Sequence, residues 1–203
     1  MIDPDNSHEV LTAIGQENLN RLGRAVRATR DDLAEYRRAL PRLAARHTNR
    51  GLLNWIHDQY FANVVATFEE VGDRSIRDKE PIRELYLGSV FRFRFKAHDA
   101  NDGVSSYPTA AFEEFAAQGS LEALQEVRLI AGYRWDREAG QIQEAVVTLR
   151  DGRNDVRWSI VLDEGDELGV SIYTPRDMPD LPSLPTIGGL ESTIKLPGEQ
   201  DGA

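Results

Sequence analysis

Val90-Phe91-Arg92-Phe93-Arg94-Phe95-Lys96-Ala97-His98 carries the clearest period in the chain. Side chains on a β-strand point alternately to opposite faces. The stretch therefore predicts a strand with Phe91, Phe93 and Phe95 turned to a core. Arg92, Arg94, Lys96 and His98 share its other face. Three phenylalanines in register need an apolar layer to pack on, so the chain must supply a cover for this strand.

Downstream, Asp99 to Gly103 reads as a turn, and Tyr107-Pro108-Thr109 as a rigid lead into a short helix over 110–118 with Phe112 and Phe115 inward. Gly119-Ser120 ends it, and 121–126 is a second short helix or a loop. Three strands follow in close succession, over 127–135, 142–150 and 156–162. Asp136 to Gly140 and Asp151-Gly152 mark the turns between them. Alternating runs joined by Asp-Gly turns predict an antiparallel meander. Leu168 to Tyr173 offers a further short strand. Gly132 inside a strand predicts a bulge or a close approach by another backbone. From Pro175 the spacing of prolines, then Gly188-Gly189 and an acidic end, predict a flexible tail.

Upstream, residues 1–7 read as loosely attached, with Ser7 capping a first helix. Val10, Ile14, Leu22 and Val26 recur at helical spacing, followed by Leu33, Tyr36, Leu40 and Leu43. Pro41 kinks or ends that second pattern. Thr48-Asn49 caps a third helix, about 51–71, whose apolar residues cover two faces and predict burial on two sides. Asp73 to Pro81 reads as a charged connector, and the opening strand as one run over 85–98. The fold class is therefore α+β. About three N-terminal helices (1–75) pack on an antiparallel sheet of four to five strands with one short helix inserted (76–174), and a tail follows (175–203).

A chain of 203 residues with 40% apolar content supports one ordinary core. It contains no cysteine, which excludes disulfides, thiolate nucleophiles and cysteine-ligated zinc. No basic leader and no long apolar run is present, so a cytoplasmic chain without a membrane span is expected. Net charge is −10, which opposes non-specific binding to nucleic acid. Nine acids against Arg176 and Lys195 lie from Ile160 to Ala203. The cations are arginines except for Lys79, Lys96 and Lys195, a usage that fits a GC-rich bacterial genome.

The candidate site is the basic strand face of Arg92, Arg94, Lys96 and His98, extended by Arg134 and Arg157 on the later strands, with Arg128 and Arg150 nearby. It reads either as an anion-binding surface or as a solvated outer face, and Glu144 and Asp155 are placed to neutralise part of it. His98-Asp99 is a possible acid–base pair, although neighbours on a strand point apart. No residue is assigned a catalytic role, and no metal or cofactor is expected, since no histidine triad, HExxH, calcium loop, P-loop, Rossmann fingerprint or GxSxG elbow occurs. The leading expectation is a non-enzymatic, cytosolic regulatory protein that binds and masks a partner protein, antitoxin-like or immunity-like. One alternative is a nucleic-acid or phosphate-ligand binder using the basic face. A second is a metal-free nuclease with His98 as acid or base.

Overall fold

The computed structural model describes residues 2–79, 82–104, 110–116, 126–152 and 155–164. Within them lie five helices and six strands: α1 (Ser7–Ile14), α2 (Gln16–Ala39), α3 (Pro41–Ala44), α4 (Asn49–Thr67), β1 (Arg74–Lys79), β2 (Ile82–Leu87), β3 (Phe91–His98), α5 (Ala110–Ala116), β4 (Val127–Asp136), β5 (Gln141–Arg150) and β6 (Val156–Val161). The strands form one sheet in sequence order, β1-β2-β3-β4-β5-β6. The architecture is α+β, as expected. The turn at 107–109, the end of the short helix, most of 121–126, the strand at 168–173 and the tail fall outside the described residues.

The helical layer follows local chemistry closely. Asn6, rather than Ser7, caps α1 by accepting from the Glu9 amide at 3.2 Å. The first residues are held down as well, because the Trp158 indole donates to the Pro4 carbonyl at 2.9 Å. Gly15, at φ +84°, turns the chain from α1 into α2, a conformation that favours glycine. Leu40 ends α2, and Pro41 opens the single turn of α3, where its missing amide costs no hydrogen bond. Thr48 caps α4 at the Gly51 amide, 3.1 Å away.

The sheet differs from the expected meander in three ways. It is mixed: β3 and β4 pair in parallel, from Phe91 beside Val127 to His98 beside Arg134. All other pairs are antiparallel. The intervening segment with α5 is long enough to return the chain to the starting end of β3, which a parallel pair requires. The single run expected over 85–98 is a hairpin, since Gly88, at φ +58°, reverses the chain between β2 and β3. The charged connector is itself strand β1, and its polar side chains suit a sheet edge.

Phe91, Phe93 and Phe95 are buried on the face covered by the N-terminal helices. Tyr60 of α4 meets Phe95 and Tyr133 edge to face, at 5.6 and 5.7 Å between centroids. Buried residues of α1, α2, α4 and β2 to β6 form one continuous cluster. On the opposite face a smaller cluster joins Phe112, Phe115 and Ala116 of α5 with Val104 and Ile130. The sheet thus has helix on both sides at β3 and β4. Gly132 makes the close backbone approach expected of it: a Cβ there would lie 1.7 Å from the Lys96 carbonyl oxygen on β3.

Candidate functional site

The polar face of β3 lies beneath α5, and its two arginines are paired inside the protein. Glu84 on β2 is fully buried between Arg92 and Arg94. One carboxylate oxygen accepts from both guanidinium groups at 2.7 Å, and the other accepts from the Tyr86 hydroxyl at 2.7 Å. Burial alone pushes this carboxyl up, but the hydrogen bonds from Arg92, Tyr86 and Arg94 outweigh it and hold it below its usual range. Arg92 also reaches Glu126 at 3.3 Å, and Glu126 accepts from Arg128 at 2.8 Å. Arg94 donates to the Ala111 carbonyl at 2.8 Å and stacks over Phe115 at 4.3 Å. Lys96 points its ammonium toward Phe112 at 5.9 Å. Desolvation, and then the neighbouring Arg94, lower its pKa.

His98 sits at the other end of the face and is 1% exposed. Its Nε2 lies 3.4 Å from the Thr148 hydroxyl. Burial, and then the charge of Arg150, lower its pKa to about 3, with Asp102 opposing the shift. The ring is therefore neutral at any physiological pH. Asp99 does not pair with it. Its carboxylate instead accepts the Asn101 and Gly103 amides at 2.8 Å and closes the turn. The acid beside the histidine is Asp102, which stands at φ +60°. Asp102 receives Arg134 through two bonds of 2.7 and 2.9 Å, and its carbonyl accepts from Arg150. An aspartate before a glycine tolerates this left-handed backbone better than most residues. That dipeptide was the signal in the sequence for the turn, not for the burial of its carboxylate, since Asp151 before Gly152 is exposed.

Arg157 stays apart from these clusters. It lies on edge strand β6 with Asp151 at 2.8 Å and Asp155 at 3.5 Å. The expected basic face therefore resolves into a cluster around Glu84 and Glu126, a second around Asp102, Lys96 facing the Phe112 ring, and Arg157 apart with Asp151 and Asp155. An open cleft of about 490 Å³ borders the Asp102 cluster at the carboxyl ends of β3 and β4. Most of its charges are engaged: Arg134 by Asp102, Asp99 by its own turn, and Asp136 by the Glu138 and Ala139 amides. Among the described residues no cluster of three or more histidine, aspartate or glutamate side chains is placed to hold a metal ion. No described helix is long and apolar enough to cross a membrane.

Sequence reading missed the outer end of the helical layer. Leu40 and Leu43, at the junction of α2 and α3, are 47% and 50% exposed, the large apolar side chains that remain outside among the described residues. Between Tyr36 and His57 the chain has five arginines and no acid. Arg42, Arg46 and Arg50 are exposed beside the two leucines. The Tyr36 ring stacks on Trp55 at 4.6 Å, and its hydroxyl bonds His47 at 2.8 Å, which ties the end of α2 to α4. The helical period of Leu33, Tyr36, Leu40 and Leu43 was visible, but it did not tell which of the four stay exposed.

The chain matches no protein-family model, no curated protein and no solved structure.

Proposed function

We propose that this chain is a non-enzymatic, cytosolic partner-binding protein that covers a surface of another polypeptide, as an antitoxin or an immunity protein does. The observation that carries the reading is the exposed pair Leu40 and Leu43 inside an acid-free, arginine-rich helical tip. Two neighbouring half-exposed leucines offer apolar area that a partner can remove from water. Arginine, tyrosine and tryptophan are the residue types that dominate binding energy at protein interfaces. A chain without cysteine suits a reducing compartment. The competing uses of the strand face demand more of the molecule. A phosphate ligand on Arg92 or Arg94 must displace the buried Glu84, and acid–base work by His98 needs a ring that is both accessible and titrating near neutrality.

The test is native mass spectrometry of the full chain purified gently from its own host, beside the L40S/L43S variant. The expected result is one defined complex with a second polypeptide, weakened roughly a hundredfold in the variant. That loss follows from burial of two leucines at about 1.5 kcal/mol each. A monomer or homodimer in both preparations overturns the reading.

A further inference from the structure

We infer that the tip from Leu40 to Arg50 docks an acidic segment of a partner protein, a segment that places apolar side chains on Leu40 and Leu43 and carboxylates on Arg42, Arg46 and Arg50. This rests on the partner-binding reading and adds the chemistry of the partner.

The charge of the tip selects the occupant. The chain is −10 overall, yet the stretch from Tyr36 to His57 holds five arginines and no acid. Two of them have internal duties. Arg37 donates to the Gly140 carbonyl at 2.7 Å, and Arg38 lies 3.8 Å from Glu35. Arg42, Arg46 and Arg50 are exposed and form no ion pair among the described residues. A guanidinium matches a carboxylate through two parallel hydrogen bonds, so three unengaged arginines favour a partner that brings acids.

Other occupants fit less well. A second copy meeting tip to tip would bring five arginines against five. Phosphates of a nucleic acid offer nothing apolar to Leu40 and Leu43. A long polyanion or an anionic bilayer would also extend past the tip and meet the acidic remainder of the chain. A short segment stays within the tip's own field, because screening limits that field to about 8 Å at physiological ionic strength. The tip is also rigid before contact. Pro41 starts α3, Thr48 caps α4, and Tyr36 clamps Trp55 and His47, so docking orders little of this protein's own chain.

The experiment titrates full-length protein into a labelled synthetic peptide with glutamate and leucine at helical spacing. Poly-glutamate, an RNA oligonucleotide and phosphatidylserine vesicles serve as the other probes. The expected result is binding of the Glu/Leu peptide that weakens about tenfold or more on raising salt from about 0.05 to 0.3 M. Binding should fall at least about tenfold in R42E/R46E/R50E and again in L40S/L43S, with circular dichroism unchanged in both. Poly-glutamate should bind more weakly than the peptide. Peptide binding indifferent to both variants, or tighter binding of RNA or vesicles, overturns the inference. A photo-crosslinker at position 43 that captures residues 165–203 of the same chain, or a second copy of it, overturns it too. A native complex that ignores both variants removes this docking surface and leaves the partner-binding reading standing. Absence of any complex removes that reading, and the peptide titration still decides the tip.

Discussion

Glu84 shows how much a single side chain can organise. It is buried with two arginines on one of its oxygens, and taking away its charge leaves Arg92 with Glu126 alone and Arg94 with no carboxylate among the described residues. Breaking a buried ion pair from one side costs about 3–5 kcal/mol. Glu84→Gln keeps the shape and is expected to lower stability by about 3 kcal/mol, read as a shifted urea midpoint with an unchanged slope. His98 supplies a different signature. Its pKa falls from 6.5 in the unfolded chain to about 3 in the fold, so below pH 6.5 the unfolded chain binds the extra proton. Stability is therefore complete above pH 6.5 and declines as pH falls, by about 1.4 kcal/mol per unit from this group. His57, lowered to about 4 by burial and then by Lys96 and Arg83, acts in the same direction. Glu84 and Asp102, both held below their usual range, add their losses only at more acid pH. Thermal melts between pH 7.5 and 5 should show the decline, and H98N should make it shallower while the share of His57 remains; an unchanged slope in H98N would refute the assignment. The sequence named Arg92, Arg94, His98 and Arg134 as a group. It did not name Glu84 or Asp102 as their partners, because each acid reaches the group only through strand register or a folded-back turn.

At the scale of elements, the parallel pair β3 and β4 has a close backbone approach at Gly132. Gly132→Ala would place a methyl carbon against the Lys96 carbonyl of a buried neighbouring strand. Loss of folded protein is expected, seen as loss of strand signal in far-ultraviolet circular dichroism. A normally folded variant would show that the strands can separate there. The alternation of Phe91, Phe93 and Phe95 made β3 legible, and the caps at Thr48 and Pro41 made the helix ends legible. Two elements were not legible, for physical reasons. Strand β1, Arg74-Ser75-Ile76-Arg77-Asp78-Lys79, is an edge that buries little and so lacks apolar alternation. The parallel pairing left only a faint mark, the near-continuous burial of β4 on both its faces. Its two arginines, Arg128 and Arg134, disguised that run as an alternating strand.

For the whole molecule, stability and association are separable. Leu40 and Leu43 lie outside the packed core, so L40S/L43S is expected to change unfolding free energy by no more than about 0.5 kcal/mol per site while weakening association roughly a hundredfold. Calorimetry of the same preparation used for binding checks both. The helical layer needed no partner to be read from sequence, since its inward stripe satisfies itself against β3 and β4. The exposure of its outer end was not legible, because the helical period runs on through Leu40 and Leu43 although both side chains stay half exposed.

The arginine tip has one more consequence. The stretch from Tyr36 to His57 gathers five arginines and no acid in a chain of net −10. If an acidic segment docks there, this local charge speeds the encounter, and the association rate should fall as salt is added.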